Sequence, residues 1–301
     1  MLKTISCLCL WSFVASIAAA DPFVPVVGGS PVPAGKWPDA VAVLAQTAAC
    51  TGTLIAPDVV LTAGHCIETH PIVVVVDTTD FGKPGGEMIA VKSATAYPDW
   101  RDQYDVGVVV LVHGAATKPR AIAGTCSSLQ VMHGGNVHVV GFGLTKESGT
   151  GTNTKLHEAT MAIDDARCAQ DAACEAKIAP DGEFTAGGQG TDSCFGDSGG
   201  PAYLDTASGP ALIGVVSRGL AVEGSPCSHG GVYVRADKVA PWIEHVIGHQ
   251  LARSTCGKAD EQQIEASGSD GCSAGGEGGL SVGLALGLVA VRRRRRRTFG
   301  G

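Results

Sequence analysis

A serine lies in a glycine-rich stretch at residues 191–201, which reads TDSCFGDSGGP. Ser198 follows Asp197 and precedes two glycines, and Asp192 lies six residues before the serine. Such runs are usually surface turns, because glycine tolerates positive φ and short polar side chains bond their own backbone. A catalytic interpretation of Ser198 therefore requires partner groups elsewhere in the chain.

Two other segments contain such partner groups. TAGHC at 62–66 places His65 beside a cysteine, and YDVGVVVL at 104–111 places Asp105 at the start of an apolar strand. A histidine can take and return a proton near neutral pH, whereas a carboxylate entering an apolar segment is costly unless its charge is accepted. Alone, the histidine would be structural and the aspartate a turn residue. Together with Ser198 they suggest one site.

Six short motifs occur in one order along the chain, and with them the sequence resembles the trypsin/chymotrypsin family of serine proteases from Val26 to about Leu251. The motifs are VVGG at 26–29, TAGHC at 62–66, DVGVVVL at 105–111, GDSGGP at 196–201, SRG at 217–219 and GVYVR at 231–235. The resemblance implies two perpendicular six-stranded antiparallel β-barrels with the catalytic residues in the cleft. It implies a serine endopeptidase that uses no cofactor, acts on protein or peptide substrates and is a monomer.

The resemblance assigns a role to each residue of a triad. Ser198 would attack the scissile carbonyl after His65 takes its proton, while Asp105 holds the imidazole in the required tautomer. The backbone N–H groups of Gly196 and Ser198 would form the oxyanion hole, where one such donor contributes roughly 3–4 kcal/mol in a related hydrolase.

Asp197 is expected to act in activation. In the resembled family, cleavage before Val26 frees an ammonium group that pairs with this carboxylate and orders the oxyanion hole. Loss of such a buried pair leaves one charge uncompensated, at about 3–5 kcal/mol. The preceding residues 21–25, DPFVP, contain no Arg or Lys. We therefore expect another protease to remove this short propeptide.

Asp192 matches the family position at the floor of the primary specificity pocket. There a carboxylate selects Lys or Arg through a charge-assisted bond, so the sequence predicts cleavage after these residues. Ser217 lies on the substrate-binding strand, and Gly219 and Gly231 match the pocket walls. They leave the slot open because they lack side chains.

Two neighbouring residues bear on the extended substrate preference. Arg218 stands where the family usually has an aromatic residue, so we expect the adjacent subsite to be less apolar and to repel basic residues. Phe195 adds an apolar lip before the oxyanion glycine. No metal is predicted: the carboxylates of 77–87 are interpreted as solvated turn residues, and His245 and His249 as surface residues.

The first twenty residues read as a secretory signal peptide. A basic residue, Lys3, precedes an apolar run at 5–18 and three alanines, which predicts cleavage after Ala20. The run is shorter than the ~20 residues that a spanning helix needs. The remaining chain is divided into the propeptide, a protease domain at 26–252, a linker at 253–271 and a tail at 272–301.

The tail joins Cys272, an apolar stretch at 278–291 and six arginines at 292–297. Basic residues favour the cytoplasmic face during export, and the stretch is too short to span a bilayer. The last thirty-five or so residues resemble the sorting tags of myxobacterial exported proteins. The resemblance implies processing near Cys272, only transient membrane contact, and a protein displayed at, or released from, the cell surface.

The cysteines suit an exported chain, in which disulfides persist. Cys7 and Cys9 would leave with the signal peptide. The predicted pairs are Cys50–Cys66, Cys168–Cys174 and Cys194–Cys227, and if Cys272 belongs to the tail, Cys126–Cys256 is the remaining bridge. A zinc site is the competing interpretation, but no C-x2-C spacing is present.

Composition agrees with an all-β protein. Glycine makes up 42 of the 301 residues and aromatic residues only 5%, which suits many short strands and turns. Apolar or alternating runs predict strands at 41–45, 51–55, 72–76, 106–112, 137–141 and 211–216. Helical spacing predicts one closing helix, with Val239, Trp242, Ile243, Val246, Ile247 and Leu251 on one face and Asp237 as its cap.

Charge argues against nucleic acid as a partner. Residues 21–272 carry 15 Lys plus Arg against 28 Asp plus Glu, a balance of −13, and the basic charge is concentrated in the tail. Three functions remain open: a secreted endopeptidase, a binding module that kept the fold without the chemistry, and a surface adhesion protein attached by its tail. The complete triad favours the first.

Overall fold

The computed structural model of this protein describes residues 26–169, 171–220 and 225–255. The predicted signal peptide with Ala20, the propeptide, and the tail with Cys256 and Cys272 lie outside these residues. The described chain contains thirteen strands, β1 to β13, and three α-helices: α1 (Gly64–Ile67), α2 (Thr125–Ser128) and α3 (Ala236–Ile247). Its predicted all-β class is confirmed.

Six strands form a closed antiparallel barrel, in the order β2-β3-β4-β7-β6-β5. They are β2 (Ala40–Leu44), β3 (Ala49–Ala56), β4 (Val59–Thr62), β5 (Val73–Val76), β6 (Glu87–Ala96) and β7 (Gly107–Leu111). Valine-rich strands suit this arrangement, because β-branched side chains pack well on a pleated surface. Alternate residues such as Val41, Val43, Val60 and Val109 fill the barrel interior.

The second unit is a seven-stranded sheet in the order β1-β9-β8-β11-β12-β13-β10. Its strands are β1 (Ser30–Pro31), β8 (Asn136–Gly141), β9 (His157–Ala162), β10 (Glu183–Ala186), β11 (Pro201–Leu204), β12 (Ala211–Gly219) and β13 (Gly231–Arg235). The prediction of a second closed six-stranded barrel is therefore wrong in detail. The sheet forms a half-barrel because β9 and β10 do not pair along their length: the isolated bridge Ile163–Ala186 and a few adjoining hydrogen bonds link only their ends, and the two-residue β1 occupies the free edge of β9.

Buried aromatic and charged side chains join the two units. Trp37 stacks on Tyr203 with ring centroids 4.6 Å apart, and the Tyr203 hydroxyl donates to the buried Asp39 carboxylate at 2.6 Å. Arg120 also donates to Asp39 and lies over both aromatic rings. Because this polar group is fully partnered, it is held between the two sheets without an uncompensated buried charge.

The closing helix is α3 (Ala236–Ile247), which buries Val239, Ala240 and Ile243. Asp237 is not its cap as predicted. It lies in the first turn, where its carboxylate accepts two hydrogen bonds from Arg235. The helix ends before Gly248, whose φ of 78° is the left-handed conformation that glycine adopts readily at a helix end.

Three predicted disulfides are present: Cys50–Cys66, Cys168–Cys174 and Cys194–Cys227. Cys126 is disulfide-bonded as well, and its predicted partner Cys256 lies outside the described residues. In the described segments, no helix is long and apolar enough to cross a membrane.

Candidate active site

The barrel brings His65 and Asp105 together through a strand pairing. Strands β4 and β7 are antiparallel, with Thr62 opposite Gly107. His65 lies three residues beyond the end of β4, on the short helix α1 (Gly64–Ile67), and Asp105 lies two residues before β7 begins. The end of one strand and the start of the other therefore place an imidazole beside a carboxylate.

The two residues are joined by two hydrogen bonds. The His65 backbone N–H donates to Asp105 Oδ1 at 3.0 Å, and His65 Nδ1 lies 2.9 Å from Oδ2. Because an ionised carboxylate only accepts, Nδ1 carries the proton in this contact, which leaves Nε2 of a neutral imidazole as an acceptor. Asp105 is buried, and it also accepts a hydrogen bond from the Ser217 hydroxyl at 2.8 Å. This geometry fixes both the tautomer and the orientation of the ring.

Ser198 lies against the segment that carries His65. Its carbonyl accepts the Thr51 N–H at 3.0 Å and lies 3.7 Å from Cys66 Sγ, the residue after His65. Among the described residues, no hydrogen bond joins the Ser198 side chain to His65. Contacts of this kind are often long in a ligand-free site and tighten only when substrate binds.

The turn before Ser198 leaves two backbone N–H groups without partners. The Phe195 carbonyl accepts the Leu144 N–H at 2.8 Å, and in a trans peptide the following N–H points the opposite way. That N–H belongs to Gly196, whose φ of 98° is a conformation that suits glycine. Within the described chain, the N–H groups of Gly196 and Ser198 donate to no protein atom.

Asp197 is completely buried between these two residues. Its Oδ1 accepts the Gly143 N–H at 2.8 Å and its Oδ2 accepts the Cys194 N–H at 2.9 Å. Burial raises the pKa of Asp197 to about 7, although the two backbone donors act in the opposite direction. Val26 is also fully buried, in the core of the second sheet.

The burial of Asp197 predicts a pH-dependent stability while Val26 remains in a peptide bond. Its pKa is raised from 3.8 to about 7, so the protonated group stabilises the fold below about pH 4, and this stabilisation is lost as the pH rises through 7. We expect the free energy of unfolding, relative to an Asp197→Asn variant, to fall by roughly 4 kcal/mol between about pH 4 and 8. Urea unfolding at several pH values, in a Ser198→Ala background that cannot digest itself, measures this difference.

The control is Asp205→Asn, which neutralises an exposed carboxylate and should show no such pH-dependent difference. A difference between wild type and Asp197→Asn that stays constant with pH would contradict the assigned effect of burial. Equal pH dependence in the Asp205 comparison would show a general charge effect instead.

Asp192, the residue predicted at the floor of the specificity pocket, lies on the segment that leads to Ser198. It is fully buried, and its Oδ2 accepts the Gly230 N–H at 3.1 Å, whereas Oδ1 has no hydrogen-bond partner among the described residues. Burial raises the pKa of Asp192 to about 6. Gly219 and Gly231, the predicted walls, lie opposite each other in the pairing of β12 with β13.

The side chains of Ser217 and Arg218 are engaged within the protein. Ser217 is predicted to lie on the substrate-binding strand, and its buried hydroxyl donates to Asp105. Arg218 forms an ion pair with Glu183, with Nη1 2.7 Å from Oε1. Its charge is therefore balanced, which weakens the repulsion of basic substrate residues that the sequence predicted.

Two site residues had no signal in the sequence motifs. The Thr51 hydroxyl donates to the Gly196 carbonyl at 2.8 Å and accepts the Phe142 N–H at 3.0 Å, so it braces the turn from the neighbouring barrel. A Cβ atom on Gly143 would lie 2.3 Å from Asp197 Oδ2. Only glycine allows the backbone to approach the carboxylate so closely.

Two groups of side chains have the ligand types of a metal site. They are Cys50 with His65 and Cys66, and Cys168 with Cys174 and Glu183. The cysteines of both groups are paired in disulfides, so no thiolate is available as a ligand. His249 lies beyond the end of α3, so it does not share a helical face with His245.

The barrel, the curled sheet and the oriented imidazole together are typical of serine peptidases, which are hydrolases. The family model described as Trypsin matches residues 26–243, and the chain belongs to this family. The class, the fold and the disulfides thus agree with the sequence-based expectation of a serine endopeptidase.

Several curated proteins are similar to the chain. "Serine proteinase stubble" of Drosophila melanogaster is 29% identical over 253 residues, covering 75% of this chain and 32% of that protein. The chain thus spans about a third of that relative's length. "Serine protease 28" of Mus musculus is 27% identical, with 82% and 98% covered, and "Chymotrypsin-like elastase family member 1" of Bos taurus is 26% identical, with 74% and 89% covered.

Proposed function

We propose that the protein is an exported serine endopeptidase that hydrolyses peptide bonds after Arg or Lys, through an acyl-enzyme, with His65, Asp105 and Ser198 as the triad. The observation that carries the proposal is the buried Asp105 carboxylate, which holds both the backbone and the ring of His65. This contact leaves Nε2 of the imidazole free to act as a base.

In the proposed reaction, substrate binding brings the Ser198 hydroxyl into hydrogen-bond reach of His65 Nε2. The imidazole takes the proton as the serine oxygen attacks the carbonyl carbon, and Asp105 stabilises the imidazolium. The unpartnered N–H groups of Gly196 and Ser198 would receive the negative oxygen of the tetrahedral intermediate. His65 then returns its proton to the leaving amine. Water attacks the acyl-enzyme with the same proton transfers, which releases the acid product and restores Ser198.

The preference for Arg or Lys rests on Asp192. A buried carboxylate with one unpartnered oxygen is costly until a ligand supplies a donor. A substrate guanidinium or ammonium that passes Gly219 and Gly231 to reach Asp192 would supply that donor and a compensating charge. One relative is named an elastase and others only as serine proteases. Family membership therefore does not specify the substrate preference, and the proposed preference rests on Asp192.

The proposed activation uses Val26 and Asp197. Cleavage before Val26 would free an ammonium group, and the buried Asp197 carboxylate offers it a counter-charge in the second sheet. Such pairing would favour the ionised carboxylate, which burial alone disfavours. The absence of Arg and Lys from 21–25 leaves this cleavage to another protease.

Export is supported by the disulfides, which persist in oxidising compartments. The signal peptide, and a tail that is processed near Cys272, would deliver the protein to the cell surface or the medium. A protease-like binding or adhesion protein is the alternative. It would share the fold but would not need a reactive serine.

Active-site titration of the purified mature protein with a fluorophosphonate tests this proposal. We expect one equivalent of label on Ser198, found by peptide mass spectrometry, and faster turnover of an Arg-containing than of a Phe-containing chromogenic peptide. The label should not appear on the protein after denaturation, because the reaction needs the assembled site. An unlabelled Ser198 in folded, mature protein would favour the binding protein, and preference for the Phe peptide would contradict the role of Asp192.

A further inference from the structure

The guanidinium of Arg218 has all of its donors engaged. An arginine offers five N–H donors and no acceptor. Nε and one N–H of Nη2 donate to the Ala173 carbonyl at 3.0 and 2.6 Å, and Nη1 and Nη2 donate to the two oxygens of Glu183 at 2.7 and 2.9 Å. The fifth donor, on Nη1, lies 3.0 Å from Ser217 Oγ.

The last of these bonds sets the direction of the Ser217 hydroxyl. Because Arg218 can only donate, Ser217 Oγ accepts, and its single proton is left for another acceptor. That acceptor is Asp105 Oδ2, 2.8 Å away. The same oxygen accepts the bond from His65 Nδ1. A directed series of hydrogen bonds therefore runs from Arg218 through Ser217 to the carboxylate that orients the imidazole.

Arg218 is itself held from two sides. Glu183, on β10, is buried, and its Oε2 also accepts the Glu175 N–H at 2.8 Å. Ala173 precedes Cys174, whose disulfide with Cys168 closes a small loop. The planar guanidinium, bound on both sides, has little freedom to rotate. A lysine ammonium could not make the same set of directed hydrogen bonds.

We propose that Arg218 is a positioning residue for the proposed Ser-His-Asp chemistry: it fixes the Ser217 hydroxyl as a donor to Asp105 and thereby the carboxylate that holds His65. This inference rests on the proposed function. A side chain without hydrogen-bond donors could not replace Arg218 in this role. The ion pair with Glu183 would orient the guanidinium toward Ser217, in addition to holding the loop that contains Ala173.

The charges around His65 shape the expected pH behaviour. Asp105 faces the imidazole directly, Glu68 directly after α1 is paired with Arg101 of the 3-10 turn at Trp100–Asp102, and Asp102 is paired with Lys177. Arg218 approaches from β12 together with Glu183. If Ser217 stops donating, Asp105 holds the imidazolium more strongly, and the inactive protonated ring persists to higher pH.

The test is a double-mutant cycle of Ser217→Ala, Arg218→Met and their combination in the mature enzyme. Benzoyl-arginine p-nitroanilide is the substrate, because it leaves the subsites beside Arg218 unoccupied. We expect each single variant to lower kcat about tenfold, to change KM less than about twofold, and to shift the acidic limb of the kcat/KM profile up by about half a pH unit. The double variant should lose no more than either single variant, because both act through one bond.

Two further variants separate positioning from charge and from folding. Arg218→Lys keeps the charge without the fork and should lose as much kcat as Arg218→Met. Arg167→Met removes a surface arginine paired with Asp181, so as the matched control it should keep the wild-type kcat and acidic limb. If Arg218→Met does not fold, kcat and the acidic limb of Ser217→Ala and Arg218→Lys are compared with those of wild type in its place.

The inference is overturned if Arg218→Met keeps the wild-type kcat and acidic limb, or if its effect adds fully to that of Ser217→Ala. A loss of thermal stability alone would show that Arg218 only fastens the loop, which also overturns it. These outcomes require wild-type turnover and labelling of Ser198. Absence of both would instead be a failure of the proposed function.

Discussion

Replacement of Ser198 by alanine is expected to lower kcat for an Arg peptide by about five to six orders of magnitude, since loss of the triad serine costs about 10⁶ in a serine protease of another fold. The physical reason is that the proposed mechanism needs the Ser198 hydroxyl, which lies in the turn with two N–H groups that donate to no protein atom in the described chain. Without the oxygen, no acyl-enzyme forms, and only binding and the oxyanion hole remain. Initial rates at saturating substrate, with enzyme from a protease-free host, measure the loss.

The matched control for Ser198→Ala is Ser208→Ala, which removes an exposed hydroxyl in the loop between β11 and β12. It should keep the wild-type kcat. Binding of benzamidine, which needs only the specificity pocket, should be unchanged in both variants and shows that each is folded. A Ser198→Ala enzyme that keeps more than about a hundredth of the wild-type kcat would contradict the triad, because such a loss is far below that of a nucleophile.

The residues proposed for catalysis were predictable because each lies in a short contiguous motif. His65 and Asp105 follow or precede apolar runs that end at the same rim of the barrel, so the pairing of β4 with β7 is enough to bring them together. The disulfide partners were predictable for a similar reason, since they flank short segments. Short motifs were thus enough to predict the contact between His65 and Asp105 and the pairing of these cysteines.

Contacts between distant segments were not predictable from spacing. Thr51 reaches Gly196 across 145 residues, and Arg218 reaches Glu183 across 35 residues. Neither contact leaves a periodic pattern in the sequence, because each joins single groups of two separate segments. The roles of Thr51 and Glu183 needed the register of the sheets, which a single sequence does not specify.

The sequence did not predict strand β6 and assigned the wrong role to Asp237, in each case for a physical reason. Strand β6 has a single buried side chain, Ile89, among its ten residues, so its hydrophobic alternation is too weak to predict a strand. Asp237 has the residue type of a helix cap, but Arg235 binds its carboxylate with two hydrogen bonds and the helix begins earlier. Pairing with neighbouring strands thus forms β6 despite its weak alternation, whereas a partner only two residues away engages Asp237.

The specificity proposed for Asp192 leads to the second large effect. A substrate guanidinium that enters the slot without a carboxylate would be a buried charge with no partner, which costs about 3–5 kcal/mol. Since 1.4 kcal/mol is a factor of ten, we expect Asp192→Asn to lower kcat/KM for an Arg peptide by about 10² to 10⁴. A Phe peptide brings no charge into the slot, so its kcat/KM should change less than about threefold.

The pH dependence of KM gives an independent check of the same carboxylate. Because the pKa of Asp192 is about 6, it is ionised above this pH and neutral below it. We therefore expect KM for the Arg peptide to rise as the pH falls below 6 in wild type but not in Asp192→Asn. The exposed control Asp205→Asn should behave as wild type with both peptides. Equal losses for Arg and Phe peptides in Asp192→Asn would mean that Asp192 supports the fold of the slot, and that its charge does not select the substrate.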